Sequence, residues 1–369
     1  MKFVCNKLRI YEAVINTAKA ISDRSSLPSL ESMKVKLADS LLELTGYDLE
    51  IGIRTTVAVR SDDRGSFLID AKLFSEMIKK MDADEILIEV NENMQVTISG
   101  CSVVYNMMAK AADEYPELPD KKNCEKLSIP QTILKSMINQ TIFAAAVSDI
   151  NPVLKGELFE FERGKLNLAA IDGYRLAVRT ETVKSEEDKK FIVPSKTLAE
   201  VARLLGDNDE DSCEIFVAMK HIIFEINGYL VYSRLIEGEF HPYRSALPKS
   251  CNTEVIVDRK ELLLSLERVM LLISERTPSP VRCYFENGNI KIKCSTELGK
   301  IQDEIKADIT GPVIEIGFKC KYFLDPLTKI DDEKIRLQMN GSLLPMKISP
   351  MEGDKFTFLV LPVRLSKEN

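Results

Sequence analysis

This 369-residue sequence is short of histidine, paired cysteine and long apolar runs. Its only histidines are His221, in a strand-like run, and His241, beside a proline, and neither has a metal or triad partner nearby in sequence. The eight cysteines are scattered with no Cys-x-x-Cys pair, the pattern of reduced cytosolic thiols. No apolar run reaches the roughly 18 residues a membrane span needs, so no membrane partner is expected. The opening MKFVCNKLRIYE lacks the apolar stretch and small-residue cleavage site of a signal peptide, so a cytoplasmic location is expected. Phosphate-cradling Gly-x-x-x-x-Gly-Lys-Ser/Thr, the Gly-x-Ser-x-Gly elbow and His-Glu-x-x-His are all missing. The acidic stretch 206–214 begins like a calcium loop, but Ser212 stands where a glycine is needed and Ala218 where a bidentate glutamate is needed. Asp172 sits in an Asp-Gly turn with no second carboxylate or histidine adjoining it. The expectation is a protein with no catalytic residue, no cofactor and no metal.

What is there is repetition. LTGYDLEIGIRT (44–55) is echoed by AIDGYRLAVRT (170–180), which sets Gly46-Tyr47 against Gly173-Tyr174 and Asp48 against Arg175. FLIDAKLFSEMIKKM (67–81) is echoed by FIVPSKTLAEVARLL (191–205) and by IGFKCKYFLDPLTKI (316–330), with Glu76, Glu200 and Asp325 at matching places. A second family of amphipathic helices starts near Leu8, Thr132 and Glu261, each followed by alternating strand-like runs. The two joints, YPELPDKK (115–122) and HPYRSALPKS (241–250), both carry prolines beside an aromatic. The reading is an α+β chain of three tandem copies of one helix-strands-helix-strands domain, at 1–122, 123–249 and 250–369. A domain-sized period is too long for a solenoid and suggests a symmetric object of equivalent blocks.

Charge is unevenly spread. Helices expected at 8–24, 71–81, 131–148, 195–205, 259–276 and 319–330 sum to +8, so the remainder of this −7 chain carries −15. Mildly basic helices on an acidic body would let duplex DNA pass without being gripped, since each neutralised phosphate adds affinity and salt dependence. No helix-turn-helix, zinc-finger spacing or RNA motif points to sequence readout.

Threefold repetition, basic helices and no active site together resemble the bacterial β sliding clamps, the processivity subunits of DNA polymerase III. The residues that carry the resemblance are AAIDGYRLAV in the middle repeat, FHPYRSALP at the second joint, VPSK (193–196) and VLPVRL (360–365). The resemblance implies a head-to-tail homodimer, two chains closing a six-domain ring around duplex DNA. It implies partners that dock by short linear peptides: the polymerase III catalytic subunit, the clamp loader, and other polymerases and repair proteins. Their pocket would use Leu154, Gly173, Tyr174, Arg175, Leu176, Pro242, Ala246, Tyr322, Val360, Leu361, Pro362, Val363 and Arg364. DNA-contact candidates are Arg24, which matches a family arginine, and Lys72, Lys79, Lys80, Lys196, Arg203 and Lys319 from helix charge. Ring closure would join an edge strand at 102–108, with Val104 and Asn106, to a third-repeat helix near Leu272 and Ile273. Ile171, Tyr174, Asn151 and Ser245 depart from the family pattern and imply a bulkier, less basic pocket. The alternative is a non-DNA interaction scaffold of the same triplicated fold.

Overall fold

Runs such as MKVKLA at Met33–Ala38 bury every second side chain, and hairpins of such runs dominate the computed structural model. The described residues are 1–148, 151–183, 188–248, 250–274, 276, 278–286 and 288–365. They form two compact units, Met1–Leu134 with Glu200–Leu235, and Lys135–Ala199 with Ile236–Asn369.

In the first unit, Gly65–Ile69, Met33–Ala38, Leu41–Tyr47, Ile51–Ala58, Tyr229–Arg234, His221–Ile226, Ser212–Val217 and Glu125–Pro130 lie side by side in an eight-stranded sheet. A second sheet orders Lys2–Asn6, Glu85–Val90, Gln95–Gly100 and Val103–Met108, leaving Val103–Met108 on an edge. The second unit holds a twelve-stranded sheet in which Arg175–Thr182 pairs with Phe356–Val360. Each repeat thus hands a strand to the next. Ile51–Ala58 of the first pairs with the closing strand of the middle, and Arg175–Thr182 of the middle pairs with the closing strand of the last.

Six α-helices occur among the described residues: α1 Lys7–Thr17, α2 Ala71–Lys80, α3 Gln131–Thr141, α4 Ser195–Leu204, α5 Arg259–Met270 and α6 Cys320–Leu327. Asn6, Asp70 and Asp258 cap α1, α2 and α5 by accepting the backbone N–H of Arg9, Leu73 and Glu261. Three helices stop well short of the expected ends. α1 and α3 tighten into 3₁₀ turns, and Ile21 and Ala145 are already extended; Ala146 then donates to the Leu154 carbonyl. α5 likewise ends in tight turns at Leu271, Leu272 and Ile273, so the last two are not helical as expected. Continuous apolar runs such as VMLLI satisfy a helical pattern without requiring a helix. α6 ends at Leu327 and leaves Lys319 and Lys329 outside, so it is neutral where +2 was expected.

The hairpins are superposable by number. Leu41↔Ala58, Lys165↔Thr182 and Asn289↔Lys306 recur 124 residues apart. This spacing corrects the equivalence of the two Gly-Tyr pairs. Asp48 matches Asp172: its carboxylate accepts the N–H of Glu50 and Ile51, as that of Asp172 accepts Tyr174 and Arg175. Leu49 and Gly173 then coincide, with φ of 75° and 88°. Gly46 is instead a packing residue on the preceding strand, where a Cβ would lie 2.3 Å from the Thr17 carbonyl oxygen.

One buried charge stands out in the second unit. Glu157 is fully buried, accepts the Thr141 hydroxyl, and leaves Oε1 without a partner. Burial pushes its carboxyl up to about 8, against the Thr141 hydrogen bond that lowers it. Because the folded state holds this proton more tightly, stability falls as pH rises from the ordinary 4.5 towards 8. Glu157→Gln should therefore leave the melting temperature nearly unchanged at pH 5 and raise it at pH 8, as read by thermal unfolding at both pH values.

Candidate functional site at the second joint

At the joint of the middle and last repeats, the sheet hydrogen bonds of Arg175–Thr182 and Phe356–Val360 set Arg175 opposite Val360. Asp172 closes the turn ahead of this strand through its two backbone contacts, with Gly173 supplying the left-handed residue. The buried guanidinium of Arg175 bonds the Asp172 carboxylate at 3.0 Å and the Asp325 carboxylate on α6. Its Cζ lies 4.6 Å from the centroid of the Tyr322 ring and 5.4 Å from that of Phe143. Two carboxylates and two aromatic rings thus hold one cation in place, which makes it a positioned donor rather than a mobile charge.

Tyr174, 60% exposed, stacks on Tyr322 with centroids 5.7 Å apart. The Lys319 ammonium lies 4.4 Å from the same Tyr322 ring, so this DNA-contact candidate sits beside the joint. The tail passes alongside: Leu361 N–H donates to the Tyr174 carbonyl at 2.9 Å, and Val363 N–H to the Gly317 carbonyl at 2.8 Å. A Cβ on Gly317 would lie 2.4 Å from Leu365 Cδ2, so the tail packs closely over that glycine and a larger residue there would displace the Leu365 side chain.

Below lies an apolar floor of Leu158, Ala169, Leu176, Val178, Tyr243 and Leu359. The 3₁₀ turn Tyr243–Ala246 roofs part of it, with Pro242 and Ala246 exposed at its ends. Its anchor is Glu160, almost fully buried, which accepts Tyr243 Oη, Arg244 and Lys190, each at 2.6 Å. Burial would raise the Glu160 carboxyl, but the three hydrogen bonds outweigh it and hold it below its ordinary value.

The structure therefore brings Tyr174, Arg175, Tyr322, Val360 and Leu361 into direct contact and sets Leu176 in the floor. Leu154, Pro362 and Val363 are half-buried and Arg364 is exposed. Sequence reasoning missed Phe143 and Glu160, and it used Asp325 only as a mark of the repeat. A buried arginine needs a carboxylate, which was the available signal for Asp325.

The first joint is built from the same parts but is filled differently, with a cleft of about 580 Å³ left beside Arg54, Leu118 and Tyr232. The position of Leu176 carries Gly52, and Leu118 fills the space, 2.5 Å from where a Cβ would be. Leu118 is buried with Ile223 and Tyr232, and the position of Arg175 carries Ile51. The chain occupies its own first joint.

Elsewhere, Arg24, Lys72, Lys79, Lys80, Lys196 and Arg203 are exposed. Arg203 pairs with Glu200 at 3.2 Å and Lys79 with Glu76 at 4.0 Å. Val104 and Asn106 are exposed on the edge strand, where Asn106 accepts the Thr97 hydroxyl at 2.8 Å. Leu272 and Ile273 are half-buried. Among the described residues, no group of three or more His, Cys, Asp or Glu could hold a metal ion, and no helix is long and apolar enough to cross a membrane.

A triplicated sheet-and-helix fold with an aromatic-rimmed second joint defines a clamp-type architecture of three tandem domains. Comparison with known proteins is specific. The N-terminal, central and C-terminal domain families of the DNA polymerase III beta subunit match residues 1–119, 128–242 and 244–364. The beta sliding clamp of Bacillus subtilis (strain 168) is 32% identical, covering 99% of this chain and all of that protein. That of Halalkalibacterium halodurans is also 32% identical, with the same coverage. The crystal structure of the Bacillus subtilis sliding clamp superposes with a TM-score of 0.94 over 99% of this chain and 100% of that one, at 31% identity. The beta chain from Streptococcus pneumoniae gives 0.91 at 26% identity, with the same coverage. The chain belongs to the β sliding clamp family of DNA polymerase III. It is a non-catalytic processivity subunit of three tandem clamp domains.

Glu160→Gln is expected to weaken all three hydrogen bonds at once and to cost about 2–3 kcal/mol. Since the folded carboxyl titrates below 4.5, the loss should be full above that pH and shrink as pH falls beneath it, in thermal unfolding from pH 7 to 3.

Proposed function

We propose that two copies of this chain join head to tail into a ring around duplex DNA, tethering the replicative polymerase and its associates through the second joint. The observation that carries this reading is a pair of unmated strand edges. Among the described residues, Val103–Met108 has a strand on one side only, and no strand pairs with the outer edge of residues 299–306.

These edges are the equivalents of strands that do pair at the internal joints. Residues 299–306 correspond to Ile51–Ala58 by the 124-residue spacing of the hairpins. Val103–Met108 corresponds to Tyr229–Arg234, since Gln95↔Met108 recurs as His221↔Arg234. Transferring the pairing Leu230↔Arg54 then sets Val104 of one copy opposite Gln302 of the other. Leu272 lies 3.9 Å from the Cβ position of Gly299, at the start of the same edge, which fits its place among the interface candidates. An exposed strand edge left unmated invites unwanted pairing, and closure on a second copy removes both.

In this reading the repeats run 1–122, 123–249 and 250–369. α1 to α5 each keep a net positive charge, and the exposed Arg24, Lys72, Lys79, Lys80, Lys196, Arg203 and Lys319 supply weak phosphate contacts. Processivity is topological, so a tight grip on phosphate is not needed and would slow sliding. The open second joint takes a short peptide. An apolar partner side chain meets the Leu176–Leu359 floor, Tyr174 and Tyr322 cover it, and Arg175 with exposed Arg364 meets the peptide's polar ends. Pro242, Ala246, Leu154, Gly173 and Val360–Arg364 form the rim. The partners are then the polymerase III catalytic subunit, a clamp loader and further polymerases and repair proteins, in the cytoplasm.

The test is retention on DNA. Loaded onto a nicked circular plasmid by a bacterial clamp loader with ATP, the protein should stay with the circle through a sizing column at high salt and be lost after linearisation. Equal retention on both forms would mean direct grip and would overturn the ring.

A further inference from the structure

Along the same sheet lies a cleft of about 620 Å³ that extends beyond the pocket's apolar floor. Its floor is a cross-strand pair, Thr180 donating to Asn167 at 2.8 Å. Its cationic lining is Arg163, Lys165, Arg244 and Lys347, against the carboxylates of Glu162 and Asp354. Arg244 is already engaged by Glu160 and Glu162, at 2.6 and 2.8 Å. Lys165 and Lys347 make no ion pair with a described residue, on a chain whose net charge is −7. These two are therefore the lining cations left without an ion pair among the described residues, although Lys165 stands across the strand pair from Glu162.

The cleft also continues the apolar floor. Val178 follows Leu176 by two residues on one strand, so both project to the same face. Val178, Tyr243 and Leu247 belong to the cleft lining and to the apolar cluster alike. A peptide whose anchor sits over Leu176 has the cleft within about two residues of extended chain, roughly 7 Å.

We infer that this cleft receives an acidic segment of the partner peptide, adjoining the apolar anchor held at the second joint; the inference rests on the peptide-docking function proposed above. Lys165 and Lys347 are the recognising groups. Rim charges of this kind act on encounter and on choice among partners more than on tight affinity, and they are screened by salt.

The probe is a set of three fluorescent decapeptides carrying one Leu-Phe anchor, flanked by Asp-Glu-Asp on its N-terminal side, by Asp-Glu-Asp on its C-terminal side, or by Ser-Gly-Ser, read by anisotropy. At about 50 mM salt one acidic peptide should bind at least about fivefold tighter than the neutral one, the advantage falling below about twofold near 500 mM. The Lys165→Glu/Lys347→Glu protein should lose that advantage and keep its affinity for the neutral peptide, while Lys165→Arg/Lys347→Arg should retain both. Equal binding of acidic and neutral peptides to the unaltered protein would overturn the cleft and leave the pocket standing. An advantage that survives the charge reversal would place the acidic segment elsewhere and overturn it too. Failure of the neutral peptide to bind the unaltered protein would overturn the pocket itself, and this inference with it.

Discussion

Backbone hydrogen bonds across repeat boundaries are the constraint on which this structure depends. A sheet edge exposes a row of unpaired N–H and C=O groups, and a repeat can satisfy such an edge by pairing it with a strand of another repeat. Pairing Ile51–Ala58 with Tyr229–Arg234, and Arg175–Thr182 with Phe356–Val360, satisfies four such edges inside one chain. Repeats joined this way share sheets, so the compact units of the chain cut through the middle repeat instead of between repeats. The head-to-tail assembly we propose follows from the same constraint applied to Val103–Met108 and residues 299–306, the equivalents of the paired edges that lack such a partner among the described residues.

The same pairing sets the site. Because a strand of the middle repeat lies beside the closing strand of the last, Arg175 meets Asp325 on α6 and Tyr174 meets Tyr322. A buried arginine with one partner missing would be costly, and here Asp172, Asp325, Phe143 and Tyr322 all share it. The first joint has identical strand geometry but Ile51 and Gly52 in place of Arg175 and Leu176, and Leu118 packs onto the glycine. One backbone plan therefore yields two joints of different lining, one packed with Leu118 and one rimmed by Tyr174 and Tyr322, and the choice is made by a handful of side chains.

Much of this was legible in the sequence because it is periodic. Alternation exposed the strands, 3.6-residue spacing exposed all six helices, and the 124-residue recurrence of Glu76 and Glu200 exposed the repeat. Helix ends were not legible. Apolar runs after Thr17, Thr141 and Met270 continue the pattern into tight turns, and only the 3₁₀ geometry ends them. The shared Gly-Tyr also misled. Gly46 is small to approach Thr17, whereas Gly173 is glycine for its positive φ, and letters alone do not separate those causes. Tyr174, Arg175 and Tyr322 were found through the family resemblance, but Phe143 and Glu160 reach the site from distant strands and turns and carry no local signature.

The central claim is that the two unmated edges belong to each other. In antiparallel pairs directly opposite Cα atoms approach to roughly 4.5–5.5 Å, within reach of a disulfide. The most direct measurement is therefore oxidative cross-linking of Val104→Cys/Gln302→Cys, compared on a non-reducing gel with each single substitution, the latter controlling for the native cysteines. A covalent dimer formed by the double variant alone, at micromolar protein, is the predicted result. A double variant that stays monomeric, or cross-links no better than Val104→Cys, would contradict the pairing and the ring built on it.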